Sequence, residues 1–166
     1  MQFKILEKVF EGESPESVFE IGCGGGGLLK DVAECFGCKT GGIDISKVRM
    51  EATKGMKGEY IVHDLNDPWP VSDNSYDIAF SVGVLMYIFN PAPVIQEMLR
   101  VSKKGIILAE YNREDLDEYG GMMMYLSGGN VETALIRNYE KVFEKIGKKV
   151  TIEKYNNDKT IIKCLK

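Results

Sequence analysis

An apolar run, Val18-Phe19-Glu20-Ile21, ends in Gly22-Cys23-Gly24-Gly25-Gly26-Gly27 and passes at once into Leu28-Leu29-Lys30-Asp31-Val32-Ala33. The run has strand length and carries one carboxylate, Glu20, while the residues after the glycines have helical spacing. A backbone that bends sharply between strand and helix uses glycines, which lack a Cβ, tolerate positive φ and admit a ligand closely. The chemistry suggested is the cradling of a nucleotide-like cofactor. Two patterns fit the same glycines. Gly22-x-Gly24-x-x-Gly27 satisfies a dinucleotide fingerprint, with Asp44 downstream to hold a ribose. Glu20-x-Gly22-x-Gly24-x-Gly26 satisfies a second pattern equally well, and the glycine run alone leaves both open.

The elements that must position these residues follow a regular alternation. A short helix is predicted over 2–11, with Phe3, Leu6 and Phe10 on one face, ended by Glu11-Gly12-Glu13-Ser14-Pro15. Strands are predicted at 17–21, 40–45, 59–62, 76–81 and 105–109. Helices over 28–36, 47–54 and 92–101 lie between them, the second capped by Ser46. Tight β–α alternation of this kind builds a doubly wound α/β sheet. The end of the chain breaks the rhythm. A helix is predicted over 131–147, with Val131, Leu135, Val142 and Ile146 on one stripe. Strands at 149–155 and 159–165 then form a β-hairpin about Asn156-Asn157-Asp158.

The length of 166 residues, 44% hydrophobic and 28% charged, suits one domain over 1–166 with a full core. No apolar run approaches the roughly 20 residues of a membrane helix, and residues 1–7 lack a signal-peptide core. A cytoplasmic protein without membrane association is expected. The net charge is −4, and its acidic excess lies in residues 1–130, so a nucleic-acid surface is not expected. Cys35-Phe36-Gly37-Cys38 has redox spacing, but with 4 cysteines and 1 histidine the chain offers no zinc tetrad and no metal is expected.

Four segments, in order and spacing, resemble the class I S-adenosylmethionine-dependent methyltransferases. They are Phe19-Glu20-Ile21-Gly22-Cys23-Gly24-Gly25-Gly26; Gly42-Ile43-Asp44-Ile45-Ser46; His63-Asp64-Leu65 with Pro68-Trp69-Pro70-Val71-Ser72-Asp73-Asn74-Ser75-Tyr76-Asp77; and Glu97-Met98-Leu99-Arg100-Val101-Ser102-Lys103-Lys104-Gly105. The likeness is close over 17–110 and topological beyond. It implies a Rossmann-like, seven-stranded, mostly parallel sheet with an antiparallel C-terminal hairpin strand, and S-adenosyl-L-methionine as cofactor. It also implies a cofactor-binding set of Glu20, Gly22, Cys23, Gly24, Gly26, Asp44, Ile45, Asp64, Leu65 and Ser81. By this resemblance the glycine loop and Ser81 meet the methionine part, with Glu20 supporting the loop or the ammonium. Asp44 accepts from the ribose hydroxyls, and Asp64 accepts from the adenine amino group beside Leu65. The implied activity is methyl transfer to oxygen or nitrogen of a small molecule.

No catalytic residue stands out, and in-line displacement at a sulfonium methyl does not always need a base. Weak candidates are Glu110 and Tyr111 after strand five, Tyr87 where many relatives place a histidine, and His63. Ser81-Val82-Gly83-Val84-Leu85-Met86-Tyr87 replaces the Asn/Asp-Pro-Pro-Tyr signature of amino-directed nucleic-acid methyltransferases. Residues 111–130 leave strand five over the same crevice, bracketed by glycine pairs, and read as a methionine-rich lid or a short amphipathic helix. With only about 17 residues before strand one, the site is expected to be open or completed by a homodimer or partner subunit. A cofactor-binding, weakly active module that needs a partner, and a nicotinamide-dinucleotide oxidoreductase, are the competing readings.

Overall fold

β1, Ser17–Ile21, is buried along its whole length because it lies in the middle of a sheet covered on both faces. The computed structural model describes residues 2–127, 130–155 and 159–166. Around β1 lie β2 (Lys39–Asp44), β3 (Glu59–Val62), β4 (Tyr76–Val82) and β5 (Ser102–Glu110). β8 (Thr151–Lys154) and β9 (Thr160–Leu165) complete a seven-stranded sheet of order β3-β2-β1-β4-β5-β9-β8. β1 to β5 pair in parallel, and β9 runs antiparallel to both β5 and β8. Strand order reverses between β1 and β4, where an open α/β sheet forms a ligand crevice beyond its carboxyl ends.

Alternate residues of the central strands feed two cores. Phe19, Ile21, Ala79, Ile106 and Leu108 face α4 (Pro91–Val101) and α5 (Tyr139–Lys145). Val18, Ile78, Phe80 and Ile107 face α1 (Gln2–Val9) and α2 (Gly27–Phe36). The predicted helix over 47–54 is a four-residue α3, Lys47–Met50, continued by a 3-10 turn, Glu51–Thr53, and Ser46 caps it.

The expected helix over 131–147 is corrected. Asn130–Ile136 is a strand, β7, paired antiparallel with β6 (Gly121–Ser127) as a two-stranded sheet, and helix begins only at Tyr139. Val131 and Leu135 fall on a helical stripe by spacing, but Val131 and Thr133 are β-branched, and β6 supplies the partner. Asn138 caps α5 by accepting from Lys141 N. The lid or amphipathic helix read over 111–130 is therefore largely β6 with its approach. Residues 128–129 and 156–158, the latter read in the sequence as the hairpin connection, lie outside the described residues.

Candidate functional site

Gly22 leaves β1 with φ 64° and donates its N–H to Ile43 O at 2.7 Å, so the chain turns up over the end of β2. A Cβ on Gly22 would fall 2.5 Å from Val84 Cγ2, and one on Gly24, at φ 53°, would fall 2.5 Å from Arg49 Nη2. Gly22 therefore requires glycine by conformation and by space, and Gly24 by conformation, since the Arg49 end could move aside. Asp44, at the end of β2, binds the loop from beneath. Its Oδ2 accepts from Gly24 N at 2.8 Å and its Oδ1 from Ser46 N at 2.8 Å. Each carboxylate oxygen thus accepts one hydrogen bond and has capacity for another.

Glu20 lies on the α1/α2 face below this loop, 3% exposed, and its Oε2 has no hydrogen-bond partner. Burial pushes its carboxyl up to about 8, the nearby Asp44 adds to this, and Arg49 opposes it. Cys23 packs its thiol on Met50 Sδ at 3.6 Å, and burial raises the thiol to about 12, so it is not a nucleophile. Cys35 and Cys38 are free, with thiols also raised by burial, which gives the redox spacing no reactive thiolate.

Beyond β3, Asp64 Oδ1 accepts from both Asn66 N and Asn66 Nδ2, at 2.9 and 2.8 Å, and these bonds lower its pKa. Leu65 is buried against Trp69, whose Nε1 donates to Leu65 O at 3.2 Å. Ile45 is 65% exposed at the β2 end. Arg100 of α4 fixes the loop that carries these groups, donating to Val71 O and Asp73 Oδ1 and, bidentately, to Glu97, each at 2.7 Å. His63 is half-buried, with Nε2 donating to Pro68 O at 3.1 Å. It lies three strand spacings, about 14 Å, from β4.

On the β4–β5 side the structure revises two expectations. Glu110 does not face an acceptor: it is fully buried, and its Oε1 accepts from Ser81 Oγ at 2.7 Å, Val84 N at 3.0 Å and Leu85 N at 3.1 Å. Ser81, equally buried, thus has its hydroxyl committed to Glu110, leaving its backbone for any ligand. Alternation along β5 turns Glu110 to the α4/α5 face, under the turn after β4. Tyr87, 55% exposed at the end of that turn, and Tyr111, under the Lys159 ammonium at 5.7 Å, remain on the open side. The structure thus gathers Glu20, the glycine loop and Asp44 at one place, with Asp64 and Leu65 along the same sheet edge, and separates His63 from Tyr87 and Glu110. Sequence reading missed Arg49, Val84 and Arg137. No local pattern marks them, because their roles arise from contacts between distant elements.

A family model described as "Methyltransferase domain" matches residues 19–109. The chain belongs to this family. Ajmaline N-methyltransferase of Rauvolfia serpentina is 26% identical over 148 residues, covering 83% of this chain and 46% of that protein. Sterol 4-C-methyltransferase strm-1 of Caenorhabditis elegans is 32% identical over 122 residues, 69% of this chain and 36% of that protein. The chain thus spans less than half the length of these relatives. A SAM-dependent methyltransferase from Aquifex aeolicus shares the fold, with a TM-score of 0.66 at 17% identity over 99% of this chain and 88% of that one. The cofactor of such methyltransferase domains is S-adenosylmethionine, and the residues present fit it. A buried carboxyl oxygen without a donor, a loop in which a Cβ would clash, and an acid with free lone pairs match its ammonium, its close approach and its ribose.

Proposed function

We propose that the chain transfers a methyl group from S-adenosylmethionine to nitrogen or oxygen of a small molecule. The observation that carries this reading is the convergence of Glu20, Asp44 and the Gly22–Gly26 loop on the carboxyl-end crevice at the strand-order reversal, in a chain of this family. When bound, S-adenosylmethionine supplies a methyl group on a sulfonium, open to in-line attack by a lone pair. The chain's own residues bind and orient. Glu20 takes the methionine ammonium; Gly22, Cys23, Gly24 and Gly26, with the backbone at Ser81, line the methionine part. Asp44 accepts from the ribose hydroxyls. Asp64 accepts from the adenine amino group, with Leu65 and Ile45 against the ring.

The acceptor is placed beyond β4 and β5, beside Tyr87 and Tyr111. The connection leaving that end of β5 runs into β6, which carries exposed Met122 and Met124, and these favour an apolar acceptor. Glu110 is sealed under the turn and His63 is bonded to Pro68 on the far side of the sheet, so neither supports base catalysis. An amine, which brings its own lone pair, is favoured over a hydroxyl that must first lose a proton. The test is methyl-labelled S-adenosylmethionine offered with a panel of apolar amines and phenols. Label in the amines, with kcat/KM following each amine's own ionisation, is expected. Label confined to phenols overturns the amine preference, and no label in any acceptor overturns the proposal.

A further inference from the structure

The turn after β4 is gripped from both sides by two fully buried side chains that touch neither proposed substrate. Glu110 binds its N–H groups at Val84 and Leu85. Arg137, which ends the connection from β7 to α5, binds its carbonyls, donating Nη1 to Leu85 O at 3.0 Å and Nη2 to Ile88 O at 3.0 Å and Phe89 O at 3.4 Å. A carboxyl oxygen and a guanidinium therefore act on the two ends of the same residue, Leu85. Among the described residues Arg137 has no carboxylate within ion-pair distance, and its charge in the interior is met by three oriented carbonyls. Burying both polar side chains is costly, and a turn that only linked β4 to α4 would not need them. What the grip holds is Val84, whose Cγ atoms occupy the space that a Cβ on Gly22 would take. Val84 is thus the point where the acceptor-side turn touches the cofactor-side glycine loop.

We infer that Glu110 and Arg137 are positioning residues that, through Val84, set the glycine loop relative to the acceptor side. A second consequence follows from connectivity. Arg137 directly follows β7, and β7 also packs on the turn after β4, so the β6–β7 sheet is tied by Arg137 and by that packing to the turn that abuts Gly22. A shift of that sheet is transmitted to the cofactor loop through the turn, by contacts that include Arg137–Leu85 and Val84–Gly22. Only the identity of the ligand rests on the proposed function; the coupling belongs to the protein alone.

The experiment is amide hydrogen exchange on the full chain without ligand, followed by calorimetric titration with S-adenosylhomocysteine. Variants are Glu110→Gln, Arg137→Lys and Val84→Ala, with Ile162→Val in β9 as a control for general loss of stability. Glu110→Gln and Arg137→Lys are expected to speed exchange in both residues 82–89 and residues 22–26, and to weaken S-adenosylhomocysteine roughly tenfold. Val84→Ala is expected to free 22–26 while leaving 82–89 protected, since it removes the contact but not the grip. The control should move neither segment selectively. Faster exchange confined to 82–89 in the first two variants, or an unchanged 22–26 in Val84→Ala, overturns the inference. If wild-type protein fails to bind S-adenosylhomocysteine, the cofactor reading falls while the exchange result still decides the coupling.

Discussion

Glu20 combines burial, an oxygen with no donor and a carboxyl pushed up to about 8, so at neutral pH the ligand-free protein holds it largely protonated. A ligand ammonium favours the ionised form, so binding should release a proton. Calorimetry of S-adenosylhomocysteine in buffers of different ionisation heat should show that release below pH 8, with affinity rising as pH approaches 8. Buffer-independent heats would contradict it. The stability consequence has the opposite sign. The folded pKa lies above the ordinary value of 4.5, so Glu20 holds extra protons in the folded state, and stability falls as pH rises from about 4.5 to about 8. Glu20→Gln removes that decline. It should melt several degrees above wild type at pH 8, match it near pH 4, and bind S-adenosylhomocysteine less well. At Asp44, Asp44→Ala is expected to weaken binding by about tenfold or more while circular dichroism stays native, because it removes the bonds to Gly24 N and Ser46 N along with the ribose acceptor. Asp64→Asn should weaken binding less, since one oxygen of Asp64 is already held by Asn66.

The glycine loop and the segment over 63–73 are the two elements that make these residues a site. Gly22→Ala puts a side chain at φ 64° and into Val84, and chemical denaturation should show a loss of about 1–3 kcal/mol together with loss of cofactor binding. Arg100→Ala should cost about 1–2 kcal/mol, because it releases two loop carbonyls as well as Asp73 and Glu97. A change in urea midpoint without a change in slope would identify it as a stability effect. The glycine loop was legible in the sequence because backbone strain writes itself into residue type. Asp44 was legible because it ends a short apolar strand. The stretch 131–147 was not: β7 exists because β6 pairs with it, and only Asn138 carries the boundary in its own chemistry, as a cap. Glu110 was misplaced because a strand pattern shows alternation but not which face the turn above will cover.

At the level of the whole molecule, local pattern gave the order of elements, while the sheet order and its reversal beside β1 came with the resemblance and the structure. Two helical layers bury the central strands, so ligand access is left at the strand ends, and every proposed binding residue falls at the carboxyl ends. No described helix is long and apolar enough to cross a membrane. Binding to the folded state alone also stabilises it: saturation at about 100 times the dissociation constant adds about 2.7 kcal/mol, visible as a rise in melting temperature. On the proposed function the crevice beside Gly22–Gly26 takes S-adenosylmethionine rather than a nicotinamide dinucleotide. The direct measurement is calorimetric titration of wild type and Asp44→Ala with S-adenosylhomocysteine and, separately, with NADH. Saturable one-to-one binding of S-adenosylhomocysteine, weakened in Asp44→Ala and absent for NADH, is the predicted result. Saturable binding of NADH without S-adenosylhomocysteine, or S-adenosylhomocysteine binding indifferent to Asp44, would contradict it.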